Sequence, residues 1–371
     1  MKVQAAVVTA ANKPYEIMEL ELADPLSDEV RVKIVATGIC HSDDAIRLGH
    51  SPYPMPAVLG HEGAGIVEQV GAGVQNIKVG DHVVLAYAYC AYCQHCRQGL
   101  PSACESWGAY NRAGRRADGS TGFKCDNGTE VNSFFYQSSF ASHVNVKEQN
   151  VIVVSKSDDL RLLGPLGCGL MTGAGTVFKG LEVKPGSSIV IFGAGAVGMA
   201  AMMAAKIAGA SIIIAVDIHE VRLKMAKELG ATHIINSQGK NALEEIRKLT
   251  GGKGVNYSVD TSGVSAVMKA SIDALAICGT AAPVAVTNQV ITISTIGDLV
   301  AGNKKMIGVL MGATIPQLAI PELISYHKAG KFPYDKLIKN YDFADINQAS
   351  ADSLSGKTIK PVLIVDKSYR P

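Results

Sequence analysis

The chain has 371 residues, of which 47% are hydrophobic and 18% charged, enough for two or three domains at the usual ~100–200 residues each. Its 38 glycines are spread along the sequence, so neither a fibre nor a disordered linker fits. A formal net charge of +2 without a basic block leaves nucleic acid and membrane surfaces no electrostatic purchase, and neither is expected as a partner.

The N-terminal run Met1–Thr9 is too short for a signal peptide and lacks a small-residue cleavage site. The longest apolar stretch, Ala194 to Ala205, contains glycines and falls short of the ~20 residues that span a bilayer. A cytoplasmic protein is expected, and in that reducing compartment the eight cysteines read as metal ligands or thiols.

Up to about Ser155 the sequence alternates in short pieces broken by turn residues, such as Val30–Val35 and Gly65–Gly71, the pattern of twisted, mostly antiparallel β structure. Within it lie Gly38-Ile39-Cys40-His41-Ser42-Asp43 and Gly60-His61-Glu62-Gly63-Ala64-Gly65; further on, Cys168 sits between Gly167 and Gly169. Two thiolates and one imidazole leave zinc a fourth position for water or substrate, the open shell of a catalytic site. Taken singly, His61 reads equally as a satisfied core histidine and Cys168 as packing. The local signal at Cys90-x2-Cys93-x2-Cys96-x7-Cys104 is stronger, because four close thiolates close a tetrahedral shell of the structural type. Gln94, His95, Arg97 and Gln98 between them are too polar for a core, so a metal would staple this lobe.

After Lys184-Pro185-Gly186 the rhythm changes to apolar strands followed by helix-period segments. Ile189–Phe192 leads to a helix from about Ala196, Ser211–Val216 to one from about Glu220, and Val255–Val259 to one from about Val264. Such alternation calls for a parallel sheet covered on both faces. At its first turn stands Gly193-Ala194-Gly195-Ala196-Val197-Gly198, a G-x-G-x-x-G between strand and helix, where glycines let the backbone approach a pyrophosphate at the helix N-terminus. Asp217 ends the next strand nineteen residues after Gly198, placed to accept from both adenosine ribose hydroxyls and to repel a 2′-phosphate. NAD is therefore expected over NADP. The terminal run Lys360–Val365 reads as a strand that returns to the first domain.

With an open ligand set, a four-cysteine lobe and a dinucleotide motif in this order, the sequence resembles the zinc-dependent medium-chain alcohol dehydrogenases over essentially its full length. Gly60 through Gly71 and Val74 match that family's zinc signature, and within the family the chain looks most like the bacterial aryl-alcohol (benzyl alcohol) dehydrogenases. The resemblance implies an α/β fold, a Rossmann doubly wound parallel-sheet domain at about 170–312 and a mostly β GroES-like catalytic domain at about 1–169 and 313–371, with a structural zinc lobe at about 88–106. It implies two zinc ions per subunit, a catalytic one on Cys40, His61 and Cys168 and a structural one on Cys90, Cys93, Cys96 and Cys104. Asp43 would orient His61 and Glu62 would lie behind the metal. Ser42 would bond the substrate oxygen, Thr172 would flank the nicotinamide, and His41, Arg222 and Lys360 would stand near the cofactor's phosphates and ribose. Relatives assemble as homodimers or homotetramers.

One departure is visible. Many relatives carry a proton-relaying histidine five positions after the first zinc cysteine, and here Ala45 stands there. The resemblance implies that Tyr87 or Ala86, with Phe134, Phe135 and Trp107, would line the substrate pocket, an apolar and aromatic set suited to a flat ring, although adjacent aromatics are equally often packing. The implied activity is reversible, NAD-dependent oxidation of primary aromatic alcohols to aldehydes. Allylic and terpene alcohols fit the same chemistry. The glutathione adduct of formaldehyde fits less well, because Gly108 occupies the place of the arginine that grips its carboxylate. A zinc-independent quinone or enoyl reductase has no use for the full ligand set, and a nucleic-acid-binding zinc module has no basic surface to use.

Overall fold

The short β-branched runs of the first half fold as strands in the computed structural model, which describes residues 1–116 and 118–371. Two units are distinguished, Met1–Cys168 with Ile315–Pro321 and Asp335–Pro371, and Gly169–Thr314 with Glu322–Tyr334. In the first unit Lys2–Val8, Glu16–Leu22, Phe123–Lys124, Glu130–Ser133 and Ala57–Val58 close a small barrel. A seven-stranded sheet runs Val151–Val154, His82–Leu85, Gly63–Val70, Glu29–Gly38, Lys360–Ile364, Ile338–Asp342, and His143–Lys147 also pairs with Glu29–Gly38. Val30, Val32, Ile34, Val83, Val84, Val362 and Leu363 are wholly buried in it. The late strand joins antiparallel to the early one, Val362 opposite Gly38, which brings Lys360 beside the chain entering Cys40.

The second unit holds six parallel strands in the order His233–Asn236, Ile212–Asp217, Ser188–Phe192, Val255–Asp260, Leu275–Pro283, Lys305–Met306. Their continuous apolar runs are buried because helices such as Ala196–Ile207, Glu220–Leu229 and Ser265–Asp273 cover the sheet, and Val190, Ile214, Val255 and Ala281 share one core. The order reverses beside Ser188–Phe192, so the glycine turn after Phe192 opens at the switch point where such sheets bind ligands. The α/β class expected from the sequence is the one observed, a doubly wound parallel sheet and a mostly β unit. Among the described residues no helix is long and apolar enough to cross a membrane.

Candidate active site

The strand Glu29–Gly38 delivers Cys40 to the start of the helix His41–Arg47, where Cys40 is the extended N-cap. Asp43, the third helical residue, reaches back and accepts from the Cys40 N–H through Oδ2 at 3.0 Å. Its Oδ1 meets His61 Nδ1 at 3.0 Å and the Gly60 N–H at 3.0 Å, so one fully buried carboxylate fixes two candidate ligands. Gly60 has φ of +89°, and a Cβ there would lie 2.5 Å from the Phe140 ring, so the chain turns tightly into His61.

His61 Nε2 is buried and has no hydrogen-bond partner among the described residues. It faces sulfur, since the ligand atoms of Cys40, His61 and Cys168 lie within 4.8 Å of one another. The hydrogen bond with Cys168 draws the Cys40 thiol well below its ordinary range against the effect of burial, and the same bond, together with burial, pushes Cys168 well above. Burial opposes charge on His61, but Asp43 and Cys40 outweigh it and raise the imidazole well above its usual value. An orphaned imidazole nitrogen facing two thiols that share a proton is a donor set that fits zinc with one position left open.

In the lobe the ligand atoms of Cys90, Cys93, Cys96 and Cys104 likewise lie within 4.8 Å of one another. The Cys93 N–H donates to Cys90 Sγ at 3.2 Å and the Cys90 N–H to Cys104 Sγ at 3.3 Å. Backbone N–H donors, first that of Cys96, bring the Cys93 thiol down to about 6. Burial pushes the Cys96 and Cys104 thiols up, and it is the four sulfurs gathered within reach of one ion that fit a closed structural site.

In the second unit the turn Gly193–Gly198 shows why each glycine is needed. A Cβ on Gly198 would stand 1.9 Å from the Gly193 carbonyl oxygen, and one on Gly193 would stand 2.4 Å from Thr261 Oγ1. A Cβ on Gly195 would meet nothing within 4 Å. The first two are packing requirements, whereas Gly195 caps the helix Ala196–Ile207 on open space, the cradle a pyrophosphate needs. Val197 lies in the first turn of that helix. Asp217 accepts from the Ala194 N–H at 2.7 Å and the His219 N–H at 2.8 Å, which orients its carboxylate beside the turn and leaves each oxygen a further lone pair.

Residues 26–156 match the alcohol dehydrogenase GroES-like domain and residues 196–326 the zinc-binding dehydrogenase domain. Geraniol dehydrogenase of Castellaniella defragrans is 37% identical over 363 residues, covering 97% of this chain and 97% of the relative. The chain belongs to the zinc-dependent alcohol dehydrogenase family. Among solved structures, an alcohol dehydrogenase zinc-binding domain protein from Burkholderia ambifaria superposes with a TM-score of 0.95 at 47% identity, covering 99% of each chain. Benzyl alcohol dehydrogenase from Acinetobacter calcoaceticus superposes with a TM-score of 0.95 at 44% identity, covering 99% of this chain and 100% of that one.

In this alcohol dehydrogenase the other expected residues fall into groups. Phe134 and Phe135 both lie on His61, with ring centroids 5.2 and 4.7 Å from the imidazole. Trp107 stands edge-on to Phe135 at 5.6 Å. Tyr87 is fully buried with its ring 6.0 Å from Tyr89, and the buried Ala86 offers its carbonyl to Asn150 Nδ2 at 2.8 Å. Ser42 is half-buried and His41 exposed in the first helical turn after Cys40. In the second unit Thr172 is buried and its carbonyl accepts from Thr176, while Arg222 keeps a buried Nε without a partner among the described residues.

Lys360, expected near the cofactor, is bonded within the first unit. It is buried, and its ammonium donates to Glu62 Oε1 at 2.8 Å, Glu62 Oε2 at 2.9 Å and the Ile39 carbonyl at 3.0 Å, which takes up all three donors. Burial pushes the Glu62 carboxyl up to about 7 even against the Lys360 charge. The sequence gives no sign of this pair, nor of Asn111 and Gln137, which hold the site from behind. Gln137 Oε1 accepts from the Gly63 N–H at 2.8 Å, and Asn111 brackets Ala88 through both its N–H and its carbonyl at 2.9 Å.

Proposed function

We propose that this dehydrogenase oxidises primary alcohols bearing a flat unsaturated group, benzyl alcohol above all, to aldehydes with NAD, and runs the reverse reaction with NADH. The observation that carries the reading is the pair of rings, Phe134 and Phe135, set directly against the His61 imidazole. Aromatic rings packed against a candidate metal ligand would favour a planar substituent over an alkyl chain. Relatives named for geraniol and benzyl alcohol support an allylic or benzylic carbinol.

Cys40, His61 and Cys168 would hold zinc, with Asp43 fixing the imidazole through Nδ1. When bound, zinc supplies a Lewis acid that lowers the pKa of an alcohol hydroxyl and stabilises negative charge on its oxygen. Ser42 Oγ receives the hydroxyl proton and passes it toward solvent, since Ala45 offers no relay. Phe134 and Phe135 exclude water from the reacting carbon. Gly195 and the helix it caps would take the pyrophosphate, and Asp217 the adenosine ribose, where its charge disfavours a 2′-phosphate.

Zinc-loaded protein given NAD and benzyl alcohol is expected to form benzaldehyde and NADH in equal amounts. Absence of turnover with benzyl alcohol, geraniol and ethanol alike would overturn the reading.

A further inference from the structure

The four-cysteine lobe and the His61 shell are joined by a short path of packed groups. Trp107 begins the helix Trp107–Asn111 three residues after Cys104, and its N–H donates to the Cys104 carbonyl at 2.9 Å. Its indole packs on the cluster of Cys90, Cys93 and Cys104 and stands edge-on to Phe135, 5.6 Å between centroids and 88° between planes. Phe135 in turn lies over His61 at 4.7 Å and 30°.

The same helix holds Phe135 a second time. Asn111, wholly buried, accepts the Phe135 N–H on its backbone carbonyl at 3.3 Å. Its side-chain amide bonds both polar groups of Ala88, two residues before Cys90, and also the Trp107 carbonyl at 2.9 Å. Phe135 needs holding, because Phe135, Tyr136 and Ser138 have φ of +54°, +49° and +52°. Left-handed backbone at residues with a side chain costs about 1 kcal/mol or more each and persists only where surroundings impose it. The turn is clamped from the His61 side by Ser138, whose Oγ accepts from the Phe134 N–H and donates to the Val58 carbonyl, each at 2.9 Å. Asn150 Nδ2 also donates to the Phe135 carbonyl at 3.1 Å, and from the lobe the hold comes through Trp107 and Asn111.

We propose that Trp107 is a positioning residue through which the four-cysteine lobe presses Phe135 onto His61, so that the lobe's metal governs the geometry of the open metal shell as well as stapling its own loop. The inference rests on the reading of Cys40, His61 and Cys168 as that shell. A lobe that serves as a local staple only would require Trp107 for stability and for nothing else.

The test uses full-length enzyme with cobalt in the open shell, whose visible absorption reports the arrangement of His61 and the two sulfurs. Trp107→Leu removes the edge contact and Trp107→Phe keeps an aromatic ring there. The Leu variant is expected to hold both metals, to shift the cobalt bands and to lower kcat by on the order of tenfold with a smaller change in KM, as misplacement near reacting groups does. The Phe variant is expected to recover most of both. A Leu variant that is folded and fully metallated, with wild-type cobalt bands and wild-type kcat, overturns the proposal.

Trp107 is the only tryptophan in the chain, which allows a reading without any substitution should the Leu variant fail to fold. In unmodified protein with its lobe loaded, filling the open shell with zinc is expected to shift tryptophan emission, because coupling acts in both directions. Unchanged emission overturns the proposal. Metal content measured beforehand separates the two failures, since protein that takes no metal at the open shell defeats the reading of that shell as well.

Discussion

Asp43 makes three hydrogen bonds in a fully buried place, and Asp43→Asn disturbs them with almost no change in shape. An amide offers one oxygen and one NH2 where the carboxylate offered two acceptors. With the amide oxygen toward His61 and Gly60, the NH2 confronts the Cys40 N–H that Oδ2 met at 3.0 Å. Flipped, it faces the Gly60 N–H and obliges His61 to carry its proton on Nε2, the atom that would bind metal. Either arrangement leaves a buried donor unpaired, worth about 1–3 kcal/mol of stability. Loss of the carboxylate behind a ligating histidine costs ~10–100-fold in metal affinity. Expected, then, is protein that keeps zinc in the four-cysteine lobe but yields the open-shell zinc to a chelator at ~10–100-fold lower competing strength. Zinc per chain, measured against chelator concentration for wild type and variant, checks this. Two equally retained zinc ions and an unshifted melting temperature in Asp43→Asn would refute the argument.

The glycine turn separates packing from binding. Gly195→Ala, whose new Cβ meets no protein atom within 4 Å, is expected to leave the melting temperature unchanged and raise the KM for NAD about tenfold, whereas Gly198→Ala, with its Cβ 1.9 Å from the Gly193 oxygen, is expected to destabilise the fold; equal melting temperatures and equal KM values would count against the assignment. Asp217→Ala is expected to narrow the preference for NAD over NADP in kcat/KM, and an unaltered ratio would remove Asp217 from that role. A pH effect is expected at Asp366, where burial is outweighed by hydrogen bonds from Lys33, whose Nζ lies 2.7 Å away, and from Ser368, holding the carboxyl at about 2. A lowered folded-state pKa contributes stability above the unfolded value near 3.8 and loses it as pH falls toward about 2. The melting-temperature loss in Asp366→Asn should therefore be constant from about pH 7 to 5 and shrink below about 4, and a loss still undiminished at about pH 3 would contradict this.

Legibility in the sequence followed distance along the chain. The four-cysteine lobe and the Gly193–Gly198 turn each complete their chemistry within a few residues, so spacing alone exposed them. The strands of the parallel sheet were equally plain, because covering both faces demands unbroken apolar runs such as Ile189–Phe192. The Glu62–Lys360 pair joins positions 298 apart, and nothing local in Lys360-Pro361-Val362 distinguishes a buried counter-ion from a surface charge. Nor does Ser-Phe-Phe-Tyr-Gln-Ser look like a left-handed turn, since bulky residues ordinarily avoid that region and are held there by distant partners that include Asn111, Asn150, Glu29 and Trp107. Asp43 lies between, for its grip on His61 was implied by the family resemblance and by nothing in the spacing, while its bond back to the Cys40 N–H appears only in the fold.

A zinc- and NAD-dependent site with Phe134 and Phe135 packed against His61 is expected to select flat primary alcohols. The direct measurement is kcat/KM for benzyl alcohol against ethanol with saturating NAD at one mildly alkaline pH. A preference of about a hundredfold or more for benzyl alcohol, some ~2.7 kcal/mol of transition-state binding, is predicted. Ethanol turned over as efficiently as benzyl alcohol would contradict it.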